Sequence, residues 1–142
     1  MRLTSFTDYG LRILMRLASD PDQVFSTTEL AEEFGVSRHH LTKIMQKLAK
    51  VGIVQTRRGG GGGAILVRPP ADLGLGEIVR ILEEGKVLVE CFETGGDCNL
   101  DGRCGLKSRL RLAETVFLAS LDRSTLADVA LASPGNVTAA VR

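Results

Sequence analysis

Residues 35–67, "GVSRHHLTKIMQKLAKVGIVQTRRGGGGGAILV", admit few folds. Gly35 suits a helix C-cap and Ser37 an N-cap, so one helix ends and another begins within three residues. Leu41, Ile44, Met45 and Leu48 then share one helical face, and that helix stops before Gly52. Residues 53–56 and 64–67 read as two strands hinged on a run of five glycines. Just upstream, "TTELAEEFG" predicts a short helix capped by Thr27 or Thr28. Before it, "FTDYGLRILMRLASD" predicts a longer helix with Thr7 as N-cap and Asp8 and Tyr9 in the first turn. Helix, short helix, tight turn, helix and two-stranded hairpin is the order of a winged helix-turn-helix.

A chain of 142 residues with 44% hydrophobic content can build one such domain and still carry an oligomerisation element. "GLGEIVRILEE" predicts a further short helix over 76–84. "LKSRLRLAETVFLASLDRSTLADVALA" predicts a long one. On it Leu106, Leu110, Ala113, Phe117 and Leu121 form one stripe, with Leu112, Val116 and Ala119 beside it. Two apolar faces suit a helix packed on its own domain and on a second copy; a single wide core-facing stripe is the other reading. The expected fold is mainly α with a small β-wing. The DNA-binding domain is 1–84, a cysteine loop 85–104, a dimerisation helix 105–132 and a flexible tail 133–142. "MRLTSFTDYG" lacks the apolar stretch of a secretory signal and no run approaches spanning length, so a cytoplasmic protein with no membrane partner is expected.

Charge supports a nucleic-acid face. Residues 37–68 hold seven basic side chains, Arg38, Lys43, Lys47, Lys50, Arg57, Arg58 and Arg68, and no acidic one. The remainder carries eleven basic against seventeen acidic residues. A solvated helix face usually interleaves the two signs, whereas one basic band on a near-neutral chain suits a polyanion. The N-terminal part of the second helix of the motif faces base edges in the major groove, which nominates Ser37, Arg38, His39, His40 and Lys43. Thr28 could present backbone N–H groups to phosphate, and Arg57, Arg58 and Gly60 form a slender basic tip suited to the minor groove. The glycine run is not a nucleotide-cradling loop, since no Lys-Ser/Thr follows Gly63 and a strand comes next. No nucleophile–base pair or paired acid site points to an enzyme.

All three cysteines, Cys91, Cys98 and Cys104, fall within fourteen residues. In a reducing compartment such clustering points to metal or redox chemistry. The spacing lacks the paired C-x2-C knuckles of zinc ribbons and the C-x2-C-x2-C of bacterial ferredoxins. Thiolates spread over a glycine-rich loop suit an object larger than one ion, and an iron–sulfur cluster fits; zinc and redox-active thiols are the alternatives. No histidine lies in or beside the loop.

"MRLTSFTDYGLR", "GVSRHHLTKIMQKLAKVG", "RGGGGG", "LGEIVRILE" and the three-cysteine loop together resemble the bacterial winged-helix iron–sulfur regulators of IscR/NsrR type. "LTSFTDYGLR" and "LDRSTLADV" look most like the nitric-oxide-sensitive NsrR branch. The resemblance implies a 4Fe–4S cluster on each subunit of a homodimer, held by Cys91, Cys98 and Cys104. In IscR-like members a histidine three residues after the third cysteine completes the site; here that position is Lys107. In NsrR-like members the fourth ligand is an aspartate early in the first helix of the other subunit, which matches Asp8. Arg12, one turn later, could relay charge between cluster and DNA. The implied function is a repressor on a palindromic operator, released when nitric oxide damages the cluster. The same architecture could sense iron, cluster supply or redox state. A DNA-binding module with structural zinc and no sensing is the reading of a different class.

Overall fold

The computed structural model describes residues 2–59, 62–96 and 98–132; Gly60 and the 133–142 tail lie outside the described residues. The first helix, α1 (Ser5–Ala18), carries Ile13, Leu14 and Leu17 fully buried on one face. Its N-cap is Thr4, not Thr7: the Thr4 hydroxyl accepts the Thr7 N–H at 3.3 Å. Thr7 is instead completely buried, one turn inside the helix. What moves the cap is Glu83, whose carboxylate accepts both the Thr4 N–H and the Thr4 hydroxyl at 2.8 Å.

Helix α2 (Thr27–Phe34) is capped by Ser26 rather than by either threonine, and it ends on Gly35 in the left-handed region at φ 64°. Ser37 caps α3 (Arg38–Lys50), accepting the His40 N–H at 3.1 Å. The buried face of α3 is Leu41, Ile44, Met45 and Leu48, as the spacing predicts. Strands β1 (Val54–Arg57) and β2 (Gly63–Leu66) pair antiparallel, with Val54 opposite Leu66 and Arg57 opposite Gly63. Phe25 adds a further antiparallel bridge to Ala64. That approach explains one glycine of the run: a Cβ on Gly63 would collide with the Phe25 carbonyl and the Val24 side chain. Gly63 thus serves packing at the base of the wing.

Helix α4 (Leu75–Leu82) returns across α1, and α5 (Gly105–Leu121) packs on α4. Here the expected 105–132 helix is corrected, because α5 stops at Leu121. Thr125 and Asp128 form a capping box that starts a separate 3-10 turn, Leu126–Val129. Leu126 is fully buried beside α1, and the Leu131 N–H donates to the Met15 carbonyl at 3.1 Å. The segment after α5 therefore closes the core of the winged helix instead of lengthening the helix. Among the described residues no helix is long and apolar enough to cross a membrane.

Two contacts at α4 give tests of this packing. Burial raises the Glu83 pKa, but the hydrogen bonds from Thr7 and Thr4 outweigh it, and the net shift is downward. A carboxylate lowered on folding contributes stability that is complete above its unfolded pKa, about 4.3, and is lost as pH falls through the folded value. Glu83→Gln should therefore melt lower than wild type at pH 7, and the gap should shrink below about pH 4. Gly76 faces the Asp122 carboxylate, and its missing Cβ would stand 2.8 Å from the Leu118 carbonyl. Gly76→Ala should cost about 1–3 kcal/mol in denaturant melts. Gly10→Ala, whose Cβ meets the mobile end of Leu82, should cost less.

Candidate nucleic-acid interface and metal centre

On α3 the solvent side presents Ser37, Arg38, His39, Thr42, Lys43, Gln46 and Lys50. Capping and periodicity orient them together, since the opposite face is sealed in the core. The Thr42 hydroxyl donates to the Arg38 carbonyl at 2.7 Å, and the Ser37 hydroxyl is engaged in the cap. His40 departs from the expectation that it faces DNA. It is half-buried against α1, its ring centroid 5.9 Å from Phe6 and 5.7 Å from Tyr9, the latter nearly edge-on at 80°. Phe6 and Tyr9 sit at i and i+3 and so form one aromatic surface on α1. That spacing was the sequence signal for the contact.

The acid-free band of sequence is not acid-free in space. Arg68 donates to both oxygens of Glu77, at 2.7 and 3.3 Å, and to the Asp72 carbonyl at 2.8 Å. The Arg68 hydrogen bond holds the Glu77 carboxyl below its usual range. Lys47 pairs with Glu84 at 3.3 Å. Among the described residues Arg38, Lys43, Lys50, Arg57 and Arg58 form no ion pair and remain exposed. Thr28 is half-buried in the first turn of α2. The outward cations thus lie at the two ends of α3, at Lys43 and at the end of β1, side chains of a kind suited to phosphates.

Asp8 lies on a different side of α1, its side chain 50% exposed. Both its oxygens meet Arg12, at 3.1 Å to Nε and 3.0 Å to Nη2, and the Arg12 guanidinium also stands 5.7 Å from the Tyr9 ring centroid. The cysteine loop follows α4. Cys91 sits in a 3-10 turn, Glu90–Phe92, and Cys104 occupies the N-cap position of α5. All three cysteines are free thiols and half-buried. The loop is pinned to α5 by Arg111 over the Phe92 ring at 4.9 Å and by Lys107 on Asp101 at 2.7 Å. Hydrogen bonding to Asp101 raises the Lys107 pKa against a smaller desolvation effect, and the Cys91 sulfur adds to the rise. Lys107 is thus a committed cation.

Among the described residues no three Cys, His, Asp or Glu side chains are grouped to hold one metal ion. The structure therefore brings the cysteines to one loop without gathering them at an ion-sized point, and Asp8 is not grouped with them. The donor chemistry nevertheless fits a thiolate-ligated cluster. Three unpaired sulfurs share a loop whose rim carries Arg103, Lys107 and Arg111, cations that offset an anionic ligand set.

Comparison with known proteins agrees with this geometry. The family model described as Rrf2, iron-dependent transcriptional regulator, matches residues 3–132. The chain is 40% identical over 131 residues to the HTH-type transcriptional regulator NsrR of Bacillus subtilis (strain 168), covering 91% of this chain and 90% of that one. It is 42% identical over 131 residues to the regulator of the same name from Geobacillus kaustophilus (strain HTA426), covering 91% and 89%. Among solved structures, Staphylococcus aureus CymR in its oxidised form superposes with a TM-score of 0.71 at 25% identity, covering 94% of this chain and 98% of that one. T. potens IscR superposes at 0.69 and 29% identity, covering 90% and 85%.

The division between tied and outward cations has a direct test. Arg68→Ala should lower stability by roughly 0.5–1 kcal/mol, the worth of a half-exposed bidentate pair. Lys43→Ala should leave it within about 0.5 kcal/mol. Thermal melts of the two variants without DNA read this out.

Proposed function

This chain belongs to the Rrf2 family of transcriptional regulators, and we propose that it is a homodimeric repressor whose iron–sulfur cluster senses nitric oxide. The observation that carries the reading is the placement of α5. Its first residue follows Cys104, and its outward face bares Leu106, Leu112 and Val116 at 64%, 56% and 59% exposure. Ala113 and Ala119 on the same helix are also exposed. Fully burying a large apolar side chain contributes about 1.5–3 kcal/mol before the entropic cost of association, so covering this face with a second copy contributes favourably to pairing. The pairing seam would then begin at the cysteine loop itself.

In the proposed dimer Cys91, Cys98 and Cys104 of one copy hold the cluster, and Asp8 of the second copy supplies the fourth ligand. A cluster held by three soft thiolates and one hard carboxylate offers a single weakly held iron, probed readily by nitric oxide. Asp8 is suited to the role because it is exposed on α1 and held by Arg12 alone among side chains of the described residues. Ser37, Arg38, His39 and Lys43 would meet the major groove, Thr28 the phosphates, and Arg57 and Arg58 the minor groove. Two such faces in a dimer suit a palindromic operator. The family description "iron-dependent" supports a second reading, in which iron or cluster supply is the signal.

Metal and sulfide content of anaerobically purified protein, with operator affinity on the same sample, tests the proposal. Iron and acid-labile sulfide should be present, and nitric oxide should weaken operator binding by about tenfold or more. Asp8→Ala should lose that response while melting normally. Lys43→Ala and Arg57→Ala should each reduce the salt dependence of binding by about one counterion. Zinc in place of iron, or release by iron removal with indifference to nitric oxide, would contradict the nitric-oxide reading.

A further inference from the structure

We propose that His40 is a positioning residue, the joint through which α1 sets the pose of the recognition helix, and not a reader of DNA. The proposal rests on the reading of Asp8 as a cluster ligand only for its link to the signal. Its geometry stands on α1 and α3 alone.

His40 is the third residue of α3, directly after the exposed Arg38 and His39 and one turn before Lys43. Its backbone N–H is held by the Ser37 cap at 3.1 Å, so its backbone is fixed to the start of the helix. Its side chain goes the other way, onto Phe6 and Tyr9 of α1 at 5.9 and 5.7 Å. Both distances lie in the range of favourable aromatic packing. A movement of this aromatic surface is thus passed to the turn of α3 that carries the outward Arg38 and His39.

The same surface continues to Asp8. Tyr9 is the neighbour of Arg12 at 5.7 Å, and Arg12 grips both oxygens of Asp8. Phe6, Tyr9, Arg12 and Asp8 occupy adjacent positions around α1, leading from the α3 contact to the solvent side. Drawing the Asp8 carboxylate toward another ligand weakens its pair with Arg12 and leaves the guanidinium freer to settle on Tyr9. Tyr9 in turn carries the edge-on contact to His40. Each step is a direct contact, and no step requires the hydrophobic core to rearrange.

Operator affinity of four single variants and one double variant tests the joint, with thermal melts confirming that each folds. In cluster-free protein, Tyr9→Ala and His40→Ala should each weaken operator binding by about two- to tenfold. The double variant Tyr9→Ala/His40→Ala should be no weaker than the worse single one, and His40→Phe should bind like wild type. Additive losses, or His40→Phe as weak as His40→Ala, would overturn the proposal, because an imidazole reading DNA behaves in that way. In cluster-loaded protein, His40→Ala should bring the ratio of loaded to cluster-free affinity toward one. His39→Ala should lose affinity in both states and keep the ratio; a ratio unchanged in His40→Ala would contradict the joint. A wild-type ratio of one would sink the cluster reading and leave the Tyr9–His40 cycle to decide the joint by itself.

Discussion

The buried face of α1 is the surface on which the rest of the chain is assembled. Ile13, Leu14 and Leu17 are sealed there, and α2, α3, α4, β2 and the Leu126–Val129 turn all pack against the same helix. Its N-terminal end is fixed as well, by the Glu83 carboxylate on Thr4, so α1 is held at both ends as well as along its length. A helix restrained in this way transmits a displacement as a body, since close-packed interiors do not absorb it locally. The DNA-facing helix α3 is one of the elements resting on it.

What α1 turns outward matters as much as what it buries. Asp8 and Arg12 face solvent, Phe6 and Tyr9 face His40, and the core residues face inward. One helix therefore carries a candidate metal ligand, an aromatic contact to the recognition helix and the centre of the core. The cysteine loop and α5 are arranged differently: none of α5 is fully buried, and its apolar outward face begins next to Cys104. In the proposed dimer, a ligand shared between the two copies would tie the exposed half of one molecule to the core helix of the other. That arrangement lets a chemically weak bond control a rigid element.

The winged helix was legible because its signals are local. Gly35, Ser37 and the Leu41–Ile44–Met45–Leu48 face each follow from capping or periodicity, and the structure holds them as read. The cap of α1 was not legible, because Thr4 becomes the cap through Glu83, seventy-nine positions away. The end of α5 was written in Thr125 and Asp128, a capping box, but the apolar periodicity running through it concealed the stop. Charge was legible along the chain and misleading in space, since Glu77 and Glu84 fold back onto Arg68 and Lys47. His40 could be placed on the recognition helix from sequence; its turn toward α1 depends on how two helices cross. The three cysteines were legible as one loop of free thiols, and among the described residues neither they nor Asp8 belong to a group that could hold a single metal ion.

Mixed dimers distinguish cluster ligands drawn from two copies of the chain from ligands drawn from one. One mixed dimer carries Cys91→Ser in one copy and Asp8→Ala in the other; a second carries both changes in one copy beside a wild-type copy. Ligation across the dimer predicts one intact, nitric-oxide-responsive cluster in the first and none in the second, read by iron and sulfide content and visible absorbance under anaerobic conditions. The reverse pattern, an intact cluster when both changes share one copy and none when they are divided, would place Asp8 in the same chain as its cysteines and rule out ligation across the dimer.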